Sequence, residues 1–238
     1  MKARHVLLPI VSVLLAGWVA PVEAQTEPKK RTIEVSGSAE VSAAPDLAII
    51  SFAVETTAAD AAAAVEQNAA RSAKVTSALK QRLGGKDQLS TAGYGLEPRY
   101  QQQERGSQAP PTIAGYVAHN DVRVQTHNLD HVGQLIDAAI AAGANRVSEL
   151  QFTLEDRNPT LRIALAKAGS EARAQAESIA AALGVQLKQV IAASSSPPPI
   201  MPRRYEGRAL AAEARAPTPL EPGDVTVSAT LQVTYEIE

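Results

Sequence analysis

The sequence predicts an α+β domain: a mixed or antiparallel sheet packed with three helices, in the order ββαββαβαββ. Three observations carry this. Apolar and polar residues alternate with a period of two in several segments, most clearly over 225–237. Three other segments repeat their apolar residues at helical spacing and close on glycine. Neighbouring strand segments often follow one another with no helix between them, which argues against a doubly wound parallel sheet.

The elements follow in order. Ile33, Val35, Gly37, Ala39 and Val41 alternate with Thr32, Glu34, Ser36, Ser38 and Glu40, as in a half-buried strand. After Pro45-Asp46 a second strand carries Ala48, Ile50, Phe52 and Val54 on one face. From Asp60 the period changes: Val65, Ala69, Ser72, Val75, Leu79 and Leu83 make a helical stripe, with Asp60 or Thr57 as the cap and Gly84-Gly85 as the stop. Leu89 to Tyr100 reads as a strand whose Gly93 and Gly95 predict a bulge or kink. Beyond a polar loop over 101–111, the strand 113–126 places Tyr116, Ala118, Asn120, Val122 and Val124 on one face. His119, Asp121 and Arg123 lie on the other.

Asn128 is positioned to cap a second helix with the stripe Leu129, Val132, Leu135, Ile136, Ala139 and Ile140, closed by Gly143. Val147 to Leu154 is a strand. Asn158-Pro159 opens the longest helix, since proline is tolerated at the first helical position. Its stripe is Leu161, Leu165, Ala168, Ala172, Ala176, Ile179 and Leu183, and the alanines allow close approach of a sheet or another helix. Leu187 to Ala193 is a strand. A Pro-rich stretch over 194–223 then precedes the last strand.

The amino terminus is basic (Lys2, Arg4, His5), then apolar from Val6 to Val19, then Val22-Glu23-Ala24 before Gln25. Those parts in that order predict a secretory signal over 1–24, removed after Ala24. The apolar run is too short for a spanning helix, which needs about 20 residues. No cysteine follows it to take a lipid anchor. Residues 25–31 read as a flexible lead and 32–238 as one domain. The expected product is a periplasmic protein with no transmembrane segment in its mature chain, peripheral envelope contact being open to it.

Composition narrows the chemistry. There is no Cys in the chain, which removes thiolate catalysis, redox pairs and Cys-type zinc sites. Removal of Lys2, Arg4 and Glu23 leaves 21 basic and 24 acidic residues, a net charge of about −3. No clustered basic face points to nucleic acid. His119 reads as a surface residue. His127 and His131 are four apart, but a helix capped by Asn128 leaves His127 outside it, so no metal site is expected. Glu155-Asp156 stands where negative charge complements a helix start. Tyr94, Tyr100 and Tyr116 read as packing at the edge of the core. No nucleophile elbow, phosphate loop or zinc-helix motif is present. No catalytic, cofactor-binding or metal-binding residue is expected, and no cofactor.

Several ordered stretches carry a resemblance. They are V-S-G-S-A-E-V-S-A-A-P-D from Val35, S-T-A-G-Y-G-L-E-P-R-Y from Ser90, G-Y-V-A-H-N-D-V-R-V from Gly115, A-G-A-N-R-V from Ala142 and A-R-A-Q-A-E-S-I-A-A-A-L-G from Ala172. Together they resemble the bacterial SIMPL-domain family over nearly the whole mature chain. The resemblance implies a periplasmic or envelope protein, similar to YggE-type proteins linked to oxidative stress, to immunogenic outer-membrane antigens, or to subunits of large ring-like or channel-like homo-oligomers. It implies no catalytic residues.

The resulting expectation is a non-enzymatic envelope protein that self-assembles and protects against envelope or oxidative stress. The alternative is a periplasmic module that binds a peptide or small ligand. In the stretch 194–223, Ile200, Met201, Tyr205 and Leu210 are the expected contacts with a neighbouring subunit, a plain tether being the other reading.

Overall fold

In the computed structural model the described residues are 30–102, 110–196 and 218–238. The expected signal, most of the lead, and the contact residues Ile200, Met201, Tyr205 and Leu210 lie outside them. The elements run β1 (Thr32–Ala43), β2 (Leu47–Ala58), α1 (Ala61–Lys80), β3 (Gln88–Tyr100), β4 (Ile113–Thr126), α2 (Val132–Ala142), β5 (Arg146–Thr153), α3 (Asn158–Leu183), β6 (Leu187–Ser196) and β7 (Val225–Ile237). Their order is the expected one, with a short 3-10 turn at Leu129–His131 before α2.

The strands form two antiparallel sheets, of order β1-β7-β6 and β3-β4-β2-β5. The division falls where β1 and β2 part at Ala44-Pro45-Asp46. β1 takes its partner from the far end of the chain, pairing with β7 from Thr32↔Glu236 to Ala43↔Val225 without a slip. β2 is buried on both faces over most of its length and sits in the middle of the larger sheet. The bulge expected near Gly93 is there, as a register shift between Thr91 and Gly93.

Each sheet has its own core. α1 and α2 cover the larger sheet, closing Ile50, Phe52, Val54, Val75, Leu79, Val122, Val124 and Leu135 into one cluster. α3 covers the smaller, with Ile33, Val35, Ala172, Ala176, Val233 and Tyr235. The buried stripe of α3 is Ala164, Ala168, Ala172, Ala176 and Ala180, so Ile179 and Leu183 are exposed rather than buried as expected. The reason is underneath. A Cβ added at Gly37 would stand 2.0 Å from the Ala168 carbonyl oxygen, so this helix lies almost on the β1 backbone and only alanine fits between. Gly184, at φ 67°, ends the helix in the left-handed region as expected.

Two other stripes and one strand boundary shift. The buried line of α1 begins at Ala64 and Asn68, not Val65 and Ala69. Asp60 is the cap, its carboxylate accepting from Ala63 N at 2.8 Å. In α2, Ile140 is exposed, and Asn128 makes no side-chain cap. β6 extends through Ser196, taking Ser194 to Ser196 out of the irregular stretch. At the other end of that stretch Thr218 is pinned to α2. Its backbone N–H and its hydroxyl both donate to Asp137, at 3.4 and 2.8 Å, and its carbonyl would be 2.3 Å from a Cβ at Gly133. Leu220 then packs into the larger sheet's core.

Candidate functional site

Three polar clusters and one apolar strip emerge once the sheets are in place. The first cluster is a buried bridge between α1 and the larger sheet. Asn68, with no exposed surface, donates through Nδ2 to Val54 O at 2.7 Å and Ala118 O at 2.9 Å, and accepts from the Ser72 hydroxyl at 3.2 Å. Thr56 donates its hydroxyl to Ala64 O at 2.8 Å beside it. Every hydrogen-bonding group of the Asn68 side chain is turned to backbone or to its own helix, so the arrangement fastens and does not catalyse.

The second cluster lies where the chain passes between the sheets. Asp87, before β3, accepts the Gly84 N–H at 2.7 Å and the His127 N–H at 3.1 Å. The His127 ring reaches Glu155 with Nε2 at 3.2 Å and has Nδ1 3.9 Å from Asp87. Burial pushes the Asp87 carboxyl up, but the Gly84 and His127 amides, the Thr126 hydroxyl and the His127 ring together hold it below the usual value. Asp46 joins here: its N–H donates to Thr153 O and its carboxylate accepts from Glu155 N at 2.7 Å. His131 instead faces the Asn128 amide, 2.9 Å away, so the two histidines diverge. Among the described residues no group of three acidic or histidine side chains could hold a metal ion. Of the Glu155-Asp156 pair, Asp156 serves the helix start as expected, accepting Asn158 N at 2.9 Å, while Glu155 answers His127.

The third cluster is the polar face of the larger sheet. Arg123 meets Glu149 at 3.1 Å across Ser51, whose hydroxyl also donates to Glu149 at 3.0 Å. His119, half-buried, rests on Gly95; a Cβ there would be 2.2 Å from its ring. It is a cross-strand packing residue on the face expected for it. Asn145 completes the sheet beside β5, its side chain exchanging two hydrogen bonds with the backbone of Glu55.

The strip is on the opposite face. Tyr94, Leu96 and Tyr100 of β3 point to the helix side with Ile113 of β4, but α1 lies over β2 and β4 and barely reaches β3. Tyr94 is 57% and Tyr100 54% exposed, so the expected packing at the core edge does not occur; Tyr116 alone is half-buried. Beside α1 runs an open groove of about 720 Å³ lined by Ala73, Thr76, Lys80 and Asn120 among others. The Asn120 Oδ1 is buried there with no hydrogen-bond partner. Sequence reasoning placed Asn120 on this face correctly but had no signal for the groove, which depends on how far α1 reaches.

Comparison with known proteins gives one family. The SIMPL model, described as a protein of unknown function (DUF541), matches residues 33–235. The chain is 30% identical over 219 residues to the 26 kDa periplasmic immunogenic protein of Brucella melitensis, covering 90% of this chain and 86% of that one. It is 32% identical to the uncharacterized protein YggE of Edwardsiella ictaluri over 74% of this chain and 72% of that one. For the uncharacterized YggE of Escherichia coli the identity is 33% over 50% of this chain and 47% of the other. No described helix is long and apolar enough to cross a membrane.

Proposed function

The chain belongs to the SIMPL family, and from that premise we propose that it is a non-enzymatic protein of the bacterial periplasm that works as a self-assembled homo-oligomer. One observation carries the assembly: Tyr94, Leu96, Tyr100 and Ile113 stand exposed together on one face of the paired strands β3 and β4. A contiguous aromatic and aliphatic patch of this kind marks an interaction surface. The polar clusters support a structural role, because Asn68, Asp87, Arg123 and Asn145 spend their hydrogen bonds on the fold itself. The name of the Brucella relative supports the periplasm, and the leader over 1–24 supplies the route. The protective role in envelope or oxidative stress follows from the resemblance of the sequence motifs.

Light scattering on the exported protein tests this. A particle of several chains, stable on dilution, is expected; a single-chain mass overturns it. Mass analysis of the same sample should give a chain beginning at Gln25. A second reading, a ligand-binding module, has its own support in the partnerless Asn120 oxygen of the groove. It expects a monomer whose melting temperature rises with a bound peptide or polar small molecule.

A further inference from the structure

The smaller sheet is covered off-centre. α3 sits over β1, its buried alanines directly above Gly37, and its next flank leans on β7, where a Cβ added at Gly169 would lie 3.5 Å from the Leu231 side chain. It scarcely touches β6. The result is a step at each side of the sheet. On the β1 side the opposite flank of the helix, carrying Ile163, Ile179 and Leu183, projects past the last strand with no sheet beneath it. These residues are 51%, 39% and 64% exposed. On the β6 side a strand lies with no helix above it. Val190, which pairs with buried Tyr235 and so faces the helix side, is 52% exposed, and Ala193 beside it is exposed too.

The two steps are complementary, and among the described residues no strand pairs with the outer edge of β1 or of β6. β1 is a 12-residue edge with no proline and no register slip, two of the devices that blunt an edge against pairing. The face of β1 turned away from α3 carries Glu34 and Glu40, and the cation of β6, Lys188, is exposed and holds Glu238 of its own chain.

We infer that β6 of one copy seats beside β1 of the next, under the overhang of α3, so that one sheet continues from subunit to subunit. This rests on the self-assembly reading above and adds to it a seam in the smaller sheet, separate from the exposed patch of β3 and β4. Distances select this pairing over the symmetric ones. Neighbouring strands are about 4.8 Å apart. Pairing β1 with a second β1 would bring two α3 axes to roughly that spacing, whereas packed helices need about 8–10 Å. Pairing β6 with β6 leaves Val190 and the α3 flank both uncovered. Pairing β6 with β1 spaces the helices about three strands apart, near 14 Å, and puts Val190 and Ala193 beneath the overhanging flank of α3 near Ile179. β1 and β6 both run antiparallel to β7, so the seam is a parallel pair. Such a head-to-tail contact closes into a ring or runs on as a filament.

The chain has no Cys, so engineered thiols report without background. Full-length exported Ser36→Cys and Ser194→Cys, both on the face away from α3, are purified separately, mixed in denaturant, refolded together and treated with a short bismaleimide. Ser38→Cys and Ala192→Cys cover the adjacent register. Covalent dimers are expected only when a β1 variant is mixed with a β6 variant, and a ladder when both thiols share one chain. Dimers from one variant alone mean symmetric pairing and overturn the seam. No cross-link in any mixture, with light scattering still showing a multi-chain particle, overturns the seam and leaves self-assembly standing. A single-chain mass overturns both. Val190→Lys and Ile179→Lys change exposed residues, so each should keep the circular dichroism and melting of the parent while the particle becomes smaller; a particle of unchanged size in both overturns the seam.

Discussion

At the scale of the residue, Asn68 is the most consequential polar side chain. Removing it orphans two buried carbonyls, each costing about 1–3 kcal/mol. Asn68→Leu should therefore destabilise by about 2–4 kcal/mol in urea melts, although leucine is the more apolar residue. Phe52, fully buried, should cost about 3–5 kcal/mol on truncation to Ala. Asp87 gives a pH dependence of defined sign. Its folded value lies below its ordinary 3.8, so its contribution is complete above that value and is lost as pH falls through the folded one. Melting temperature should drop on acidification in that range, and Asp87→Asn should flatten the drop and lower the neutral-pH melt. The sequence showed Phe52 as core and His119 as belonging to a polar face. It did not show that Asn68 is buried, because a lone asparagine in a helix reads as surface until the strands beneath it are known to offer carbonyls. Nor did it join Asp87, His127 and Glu155, which sit on three separate connections.

At the scale of the element, strands were legible and helix faces less so. Period-two alternation in β1, β4 and β7 marks the buried face without ambiguity, because a one-residue slip would turn every apolar side chain to water. The helices α1 and α3 are rich in alanine, and alanine marks no face strongly. In α3 the larger residues Ile179 and Leu183 drew the expected stripe toward themselves, while the true stripe was fixed by what Gly37 admits. Gly37→Val tests this. The added side chain meets helix backbone, which cannot step aside as a flexible side chain would. Overpacking of this sort costs about 1–3 kcal/mol. The smaller sheet should loosen first, with amide exchange faster in β1 and α3 than in the larger sheet.

At the scale of the whole molecule, the two-sheet division was the part least visible in advance. Nothing local tells β1 that its partner is β7 rather than β2; only the break at Pro45 and the doubly buried pattern of β2 hint at it. The connection between β6 and β7 is anchored rather than free at its far end, since Thr218 is tied to Asp137 and Leu220 enters the other core. Shortening it is therefore expected to be tolerated within 199–216 and to lower the melting temperature if Leu220 is removed. The pairing of β1 with β7 also has a consequence in time. The Lys30–Glu236 contact beside that ladder joins residues 206 positions apart. A chain threaded across a membrane amino end first delivers β1 at the outset and its mate at the finish. The contiguous stretch from β2 to β5 can close before the rest of the chain is delivered, but β1 waits, unpaired and apolar on alternate residues, until the last strand arrives. Pulse-labelling during refolding should find β1 the last strand to gain protection. Whatever holds that first strand out of trouble in the interval decides how much of the chain reaches its native form.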